Sequence, residues 1–199
     1  QDCLRILRDV KDVAFATVDE KGLPQIRIID VMLVENEKIY FCTARGKDFY
    51  AQLMHNQHIA VTAVNKDFQM VRLSGTAEKL AQQKCWIDRI FKENPSMNRV
   101  YPNENRYILE PFCIANANIE FFDLGKEPIQ RESFTIGNHQ EQKKGFEISA
   151  SCIGCGKCKK LRPQQCISIG KPYEINQNHC LHCGLCFENC PVKAIQRRS

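Results

Sequence analysis

At 199 residues, with 43% hydrophobic residues and a formal net charge of +5, the chain has room for one medium and one small folded domain. Its longest apolar runs, such as IRIIDVMLV, are interrupted by charge and fall far short of the roughly 20 residues that span a bilayer, so no membrane partner is expected. The first residues, QDCLRILRDV, mix acids and bases without an apolar stretch of signal-peptide length, so export is not expected either.

In chain order, VAFATVD (Val13 to Asp19) and PQIRIIDVMLVE (Pro24 to Glu35) flank the turn EKGL and read as a hairpin, with KIYFCTA (Lys38 to Ala44) as the next strand. KDFYAQLMHNQ places Phe49, Leu53 and Met54 near helical spacing and predicts a short helix. Strands resume with HIAVTAV and QMVRLSGTAEKL. A helix is predicted near Ala81 to Phe91, with Cys85, Ile87, Ile90 and Phe91 as its inner face. The Pro- and Asn-rich segment Asn94 to Arg106 is a connector or a cover over a pocket; beyond it CIANANIEFF and ESFTIG read as strands. Six or seven strands with short connections predict a small barrel and leave no room for parallel crossovers.

The tail differs in kind. Eight of twelve cysteines lie between Cys152 and Cys190, while Cys3, Cys42, Cys85 and Cys113 are scattered and read as small buried apolar residues. CIGCGKC (152–158) aligns with CLHCGLC (180–186), glycine on glycine at Gly156 and Gly184, and each run is followed by one more cysteine, Cys166 and Cys190. Zinc sites use separated C-x2-C knuckles, whereas three cysteines at two-residue spacing suit three corners of an iron-sulfur cube. In the first run seven residues, KKLRPQQ, precede Cys166, and Ile167 stands where the second run has Pro191. FEIS and YEIN read as small strands, with Ile148, Ile169, Ile175 and Ile195 as their core, and His179 and His182 read as surface residues.

Between Gly145 and Ser199, eight lysines and arginines face three glutamates, so the whole net charge of +5 resides there. With only Phe146, Tyr173 and Phe187 as aromatics, this basic tail does not predict a nucleic-acid partner.

The run C-x2-C-x2-C-x3-C-P resembles the bacterial two-cluster ferredoxins over residues 145–199. The resemblance implies two 4Fe-4S clusters, held crosswise: one by Cys152, Cys155, Cys158 and Cys190, the other by Cys180, Cys183, Cys186 and Cys166. The order of segments from DVAFATVDEKG to HIAVTAV resembles the FMN-binding split barrels of the pyridoxamine 5'-phosphate oxidase-like superfamily, over residues 1–136. It implies FMN bound by Arg27 with Ile28 and Ile29 beside it, by Thr43, Arg45 and Lys47, and by Gln69 facing the flavin, in a homodimer. A phosphate does want a hydroxyl, guanidinium forks and backbone donors at a helix start, which TARGKDF offers in one turn. Pyridoxamine phosphate oxidation itself is not expected, because a ferredoxin-like tail replaces that enzyme's C-terminal substrate-binding region.

The expected fold is mainly β (α+β): a split β-barrel over 1–136, a linker over 137–144 and a small ferredoxin-type α+β domain over 145–199. The expected function is an FMN-dependent iron-sulfur oxidoreductase that passes electrons between the clusters and FMN and reduces a small-molecule substrate, with an external low-potential donor or acceptor. Alternatives are a non-enzymatic electron relay, and a barrel holding haem or deazaflavin instead of FMN. Tyr101, Tyr107 and His55 are candidate proton donors. Reduced thiols and oxygen-sensitive clusters point to the cytoplasm of an anaerobic or microaerobic microbe.

Overall fold

The structure, a computed structural model, describes residues 2–138, 140, 143–161 and 163–198. Part of the expected linker (139, 141 and 142) and Arg162 therefore lie outside the described residues. The chain divides into two compact units. One comprises Gln1–Lys66, Met70–Glu120 and Phe134–Gln140; the other comprises Asp67–Gln69, Phe121–Ser133 and Glu141–Ser199.

The first unit holds most of a curled sheet, of which Gln69 and residues 121–123 and 130–133 belong to the second unit. The strands of the sheet are β1 (Asp12–Val18), β2 (Pro24–Asp30), β3 (Leu33–Glu35), β4 (Lys38–Ala44), β5 (His58–Val64), β6 (Gln69–Lys79) and β7 (Leu109–Asp123), in the order β2-β1-β5-β6-β7-β4-β3, with β8 (Gln130–Ile136) paired to β7. Along β5, Ile59, Val61 and Ala63 turn inward while their neighbours face out, the period-two pattern of a half-buried strand. Strand β4 is buried from Ile39 to Ala44 on both faces. Phe15, Phe41, Phe49 and Phe112 pack together with ring centroids 4.9 to 5.9 Å apart, each such pair adding about 0.5–1.5 kcal/mol beyond area burial. A second cluster joins Met32, Cys42, Ala44 and Leu109 to Ile87, Ile90 and Phe91. At Gly75 a side chain would meet Asn116 O at 2.1 Å, so only glycine permits the close approach of β6 and β7.

Helices α2 (Asp48–His55) and α3 (Gln83–Glu93) lie where periodicity predicts them, but Cys85 is exposed and does not join the inner face of α3. Of the other scattered cysteines, Cys42 and Cys113 are buried and Cys3 is half-buried. The expected single strand from Pro24 to Glu35 is two strands. The chain turns at the buried Val31 and Met32, where Met32 N–H already pairs with Tyr40 O, and so exchanges partner β1 for partner β4. The N-terminal helix α1 (Asp2–Val10), not foreseen above, buries Leu4 and Leu7 at i, i+3 spacing. Two 3-10 turns, Pro95–Arg99 and Asn103–Ile108, occupy the Asn94 to Arg106 segment, and Met97, Tyr101 and Tyr107 pack on the α3 cluster. Residues 95, 96, 98–100 and 102–105 of the segment are exposed.

In the second unit β9 (Phe146–Ile148) pairs antiparallel with β12 (Ile195–Arg197), and β10 (Ile167–Ser168) with β11 (Glu174–Ile175). One-turn helices α4 (Lys157–Leu161) and α5 (Leu185–Glu188) start at the ends of the two cysteine runs and carry the third cysteine of each, Cys158 and Cys186. Phe146, Cys166, Ile167, Cys180, Ala194 and Ile195 are buried, and Ile148 and Ile175 are half-buried against this core. Ile169 is 70% exposed, contrary to expectation: β10 ends at Ser168, and Ile167, paired with Ile175, takes the inward position. The unit also includes the turn where Leu124 N–H donates to Phe68 O and Gly125 N–H to Asp123 Oδ1. Among the described residues no helix is long and apolar enough to cross a membrane.

Candidate functional site

The eight tail cysteines sort into two quartets. Cys152, Cys155, Cys158 and Cys190 line a cavity of about 320 Å3, counting the space open to solvent, with Ile148, Tyr173, Val192 and Ile195 among its other walls. Cys166, Cys180, Cys183 and Cys186 line a second, of about 360 Å3 on the same measure, walled also by Phe146, Ile175 and Leu185. This is the crosswise grouping: the last cysteine of each run stands with the first three of the other. Among the described residues no set of three or more His, Cys, Asp or Glu is arranged for a single metal ion. Four thiols spread around an apolar cavity fit a multi-iron cube, whose ligands bind at separate corners, better than one ion that draws them together. The longer loop before Cys166 does not carry it away from the others. Its thiol donates to Cys180, which holds Cys180 below and Cys166 above the usual thiol range, while burial pushes Cys186 up to about 11.

His179 and His182 are not simple surface residues. Both are half-buried; His179 Nδ1 lies 2.8 Å from Ile129 O, and His182 Nδ1 meets Arg131 Nη1. No spacing rule links residues 129–131 to a cysteine run fifty positions later, so this contact had no sequence signal.

In the barrel, Arg27 projects from β2 onto the inner face. It donates to Thr17 Oγ1 at 2.6 Å and Gln52 Oε1 at 2.7 Å, with its guanidinium 4.7 Å from the centroid of the Phe49 ring. Burial lowers its pKa. Strand alternation puts Ile29 on the same face and turns Ile28, 63% exposed, to the other. Thr43, at the end of β4, is 3% exposed, and its hydroxyl finds no hydrogen-bond partner. Two residues on, Arg45 donates to Glu110 Oε1 at 3.0 Å and to Tyr107 O at 2.9 Å. Glu110, buried, also pairs with Lys79 at 3.3 Å. Lys47 is exposed at the N-cap of α2, whose first turn has no side-chain cap. Two cations on one carboxylate, together with Lys47, leave this corner positive, and Thr43 offers an unused donor. These residues fit an anionic phosphate group. Glu110, Lys79 and Gln52 were not among the sequence candidates; an acid inside the apolar strand start LEPF was the one available hint for Glu110.

Gln69 belongs to the second unit, where it donates to Asp123 Oδ2 at 3.2 Å. Tyr107 donates to Asp88, Tyr101 packs on the α3 cluster, and His55 is exposed in the last turn of α2.

Comparison with known proteins decides the two domain types. Residues 2–98 match the family model described as pyridoxamine 5'-phosphate oxidase, and residues 151–194 match the 4Fe-4S dicluster domain. The chain joins a pyridoxamine 5'-phosphate oxidase-type split barrel to a 4Fe-4S dicluster domain. The split barrel is similar to a NimC/NimA family protein from Clostridium acetobutylicum, with TM-score 0.57 and 17% identity over 68% of this chain and 90% of that one. It is also similar to a heme binding protein from Mycobacterium smegmatis, with TM-score 0.52 and 14% identity over 67% and 56%.

The dicluster domain is similar to pyruvate synthase subunit PorD of Methanothermobacter marburgensis, 43% identical over 53 residues, 27% of this chain and 63% of that one. It is likewise similar to one of the subunits of the ion-translocating oxidoreductase complex of Methanosarcina acetivorans, 42% identical over 60 residues, 28% and 23% of the two chains. The chain thus spans less than two thirds of the length of either curated relative.

Proposed function

We propose that the protein is an iron-sulfur flavoprotein oxidoreductase. In this reading the split barrel, residues 1–136, holds FMN, and the domain from 145 to 199 holds two 4Fe-4S clusters. The observation that carries the reading is the sorting of eight cysteines into two four-thiol cavities in a chain that also leaves the buried Thr43 hydroxyl unpartnered beside a cationic helix start. That one relative is named as a subunit of an ion-translocating oxidoreductase complex supports electron transfer.

Cys152, Cys155, Cys158 and Cys190 would hold one cluster and Cys166, Cys180, Cys183 and Cys186 the other. The apolar cavity walls limit water around the thiolates. In the barrel, Thr43, Arg45 and Lys47 would hold the flavin phosphate, with Glu110 orienting Arg45. Arg27, fixed by Thr17 and Gln52, would present a rigid guanidinium with Ile29 beside it. The bound groups supply one-electron carriage at the clusters and conversion between single electrons and hydride at the flavin. A small organic acceptor as substrate, an external low-potential partner and a cytoplasmic, oxygen-poor setting complete the proposal. A homodimer is supported by the outward face of edge strand β2, where Ile26 and Ile28 are 73% and 63% exposed.

Anaerobic purification followed by iron and acid-released flavin analysis tests this reading. About eight irons with FMN bears it out; iron without FMN leaves an electron relay. A haem-holding barrel is the alternative suggested by the fold's likeness to a heme binding protein, and a Soret band in the visible spectrum of the purified protein would favour it over FMN.

A further inference from the structure

The two cysteine runs are near copies, yet they differ in charge. Beyond the shared pattern, the first continues as GKCKK (156–160) where the second continues as GLCFE (184–188). Lys157, Lys159 and Lys160 thus stand in place of Leu185, Phe187 and Glu188. The contrast extends along the chain: from Ile148 to Tyr173 there are five lysines and arginines and no acid, whereas from Glu174 to Val192 there are two glutamates and no lysine or arginine. The second quartet has Arg131 beside it, held against His182 and the Phe122 ring, whereas Lys157 and Lys160 of the first run are exposed to solvent. The asymmetry asks for something outside the chain.

The structure shows where the cations lie. Lys157 is exposed on α4 between Gly156 and Cys158, both of which line the Cys152 cavity; Lys160 is exposed one position beyond Lys159; Lys193 is exposed next to Val192, another lining residue. Cys155 is itself exposed, and Ile153 and Val192 beside it are 65% and 40% exposed. Exposed apolar residues that line the cavity, with exposed lysines next to its lining residues in the chain, are the make-up of a transient interface that steers a partner of opposite charge.

We propose that the surface around Ile153, Cys155, Lys157, Lys160 and Lys193 is the docking site of an acidic electron-carrier protein. This proposal rests on the cluster reading above and adds where electrons cross the protein surface. In each encounter one electron passes between carrier and chain, one partner being oxidised and the other reduced, with no bond made or broken. The second cavity, with its acidic and aromatic α5, is not the face where the carrier docks.

The test uses the full iron-loaded chain and a strongly acidic two-cluster ferredoxin as probe, with binding to the oxidised probe read by calorimetry. Lys157→Glu with Lys160→Glu weakens binding by at least about tenfold, and raising the salt weakens the unsubstituted pair in the same direction. The neutral pair Lys157→Gln with Lys160→Gln falls between, which guards against a folding effect. Reduction by methyl viologen radical, a small cation that needs no docking, is not slowed, while reduction by the ferredoxin slows.

Undiminished binding in the charge-reversed variant overturns the proposal. So does equal slowing with both donors, which would make the lysines a local influence on the cluster, and so does tighter binding of a duplex oligonucleotide than of the ferredoxin. Fewer than about eight irons in the unsubstituted chain would instead overturn the cluster reading on which it stands.

Discussion

Arg131 Nη1 meets His182 Nδ1, and the backbone N–H of His182 lies 3.4 Å from Cys180 Sγ. The guanidinium of Arg131 also sits 4.9 Å from the Phe122 ring centroid, which fixes it in place. A permanent positive charge is therefore held beside the quartet of Cys180. It contributes, after the hydrogen bond from Cys166 and that from His182 N–H, to holding the Cys180 thiol below its usual range. A positive charge stabilises the more negative, reduced state of a neighbouring redox centre. Arg131→Gln should therefore lower one of the two cluster potentials by a threefold change in its reduction equilibrium, about 30 mV for a one-electron couple, and leave the other in place. Arg131→Lys should restore most of the shift. Dye-mediated titration followed by electron paramagnetic resonance reads both; two unmoved potentials would show that the charge is screened.

Thr43 offers a case where stability and binding part company. A buried hydroxyl without a partner costs about 1–3 kcal/mol, so Thr43→Val should leave the melting temperature of the flavin-free chain unchanged or raise it. The same change removes a donor to the phosphate and should weaken FMN binding about tenfold, the value of one hydrogen bond to a charged group. Fluorescence titration against FMN, with a thermal melt alongside, separates the two effects. A lower melting temperature in the flavin-free variant would mean that the hydroxyl is used within the fold.

Alkaline pH should destabilise the barrel through two thiols. Burial pushes Cys42 up to about 12 and Cys113 up to about 11, from an ordinary value of 9.0. Above about pH 9 the unfolded chain releases these protons while the folded chain keeps them. Stability is thus fully present below pH 9 and falls by up to about 1.4 kcal/mol per pH unit for each group until its folded value is reached. The double variant Cys42→Ala with Cys113→Ala should start less stable at pH 8, because it opens space in the core, yet lose stability less steeply between pH 9 and 11. Urea midpoints across that range give the slopes; parallel slopes would count against the prediction.

The two domains should load independently. Cys183→Ala should lower iron content and leave bound flavin unchanged, while Lys47→Ala should weaken flavin and spare the iron. Metal and flavin analysis of each variant is the check, and loss of both groups from either one would show that the domains do not load separately.

The chain by itself determined what repetition and period can carry. Eight cysteines at fixed spacing, duplicated over 152–158 and 180–186, announce a ferredoxin-like tail, because local spacing sets which corners of a cube a short loop can reach. Alternation in HIAVTAV and the helical spacing of Phe49 and Leu53 placed β5 and α2, because those periods reflect one face against a core. Tertiary structure decided the rest. It broke the run from Pro24 to Glu35 at Val31 and Met32, where a change of strand partner leaves no mark in hydrophobicity. It turned Ile28 outward and Ile169 to solvent, because a residue's face depends on where its strand starts and ends. It set Glu110 between Arg45 and Lys79 and brought Arg131 to His182, pairings between residues remote in sequence that only a folded backbone can bring within hydrogen-bonding reach.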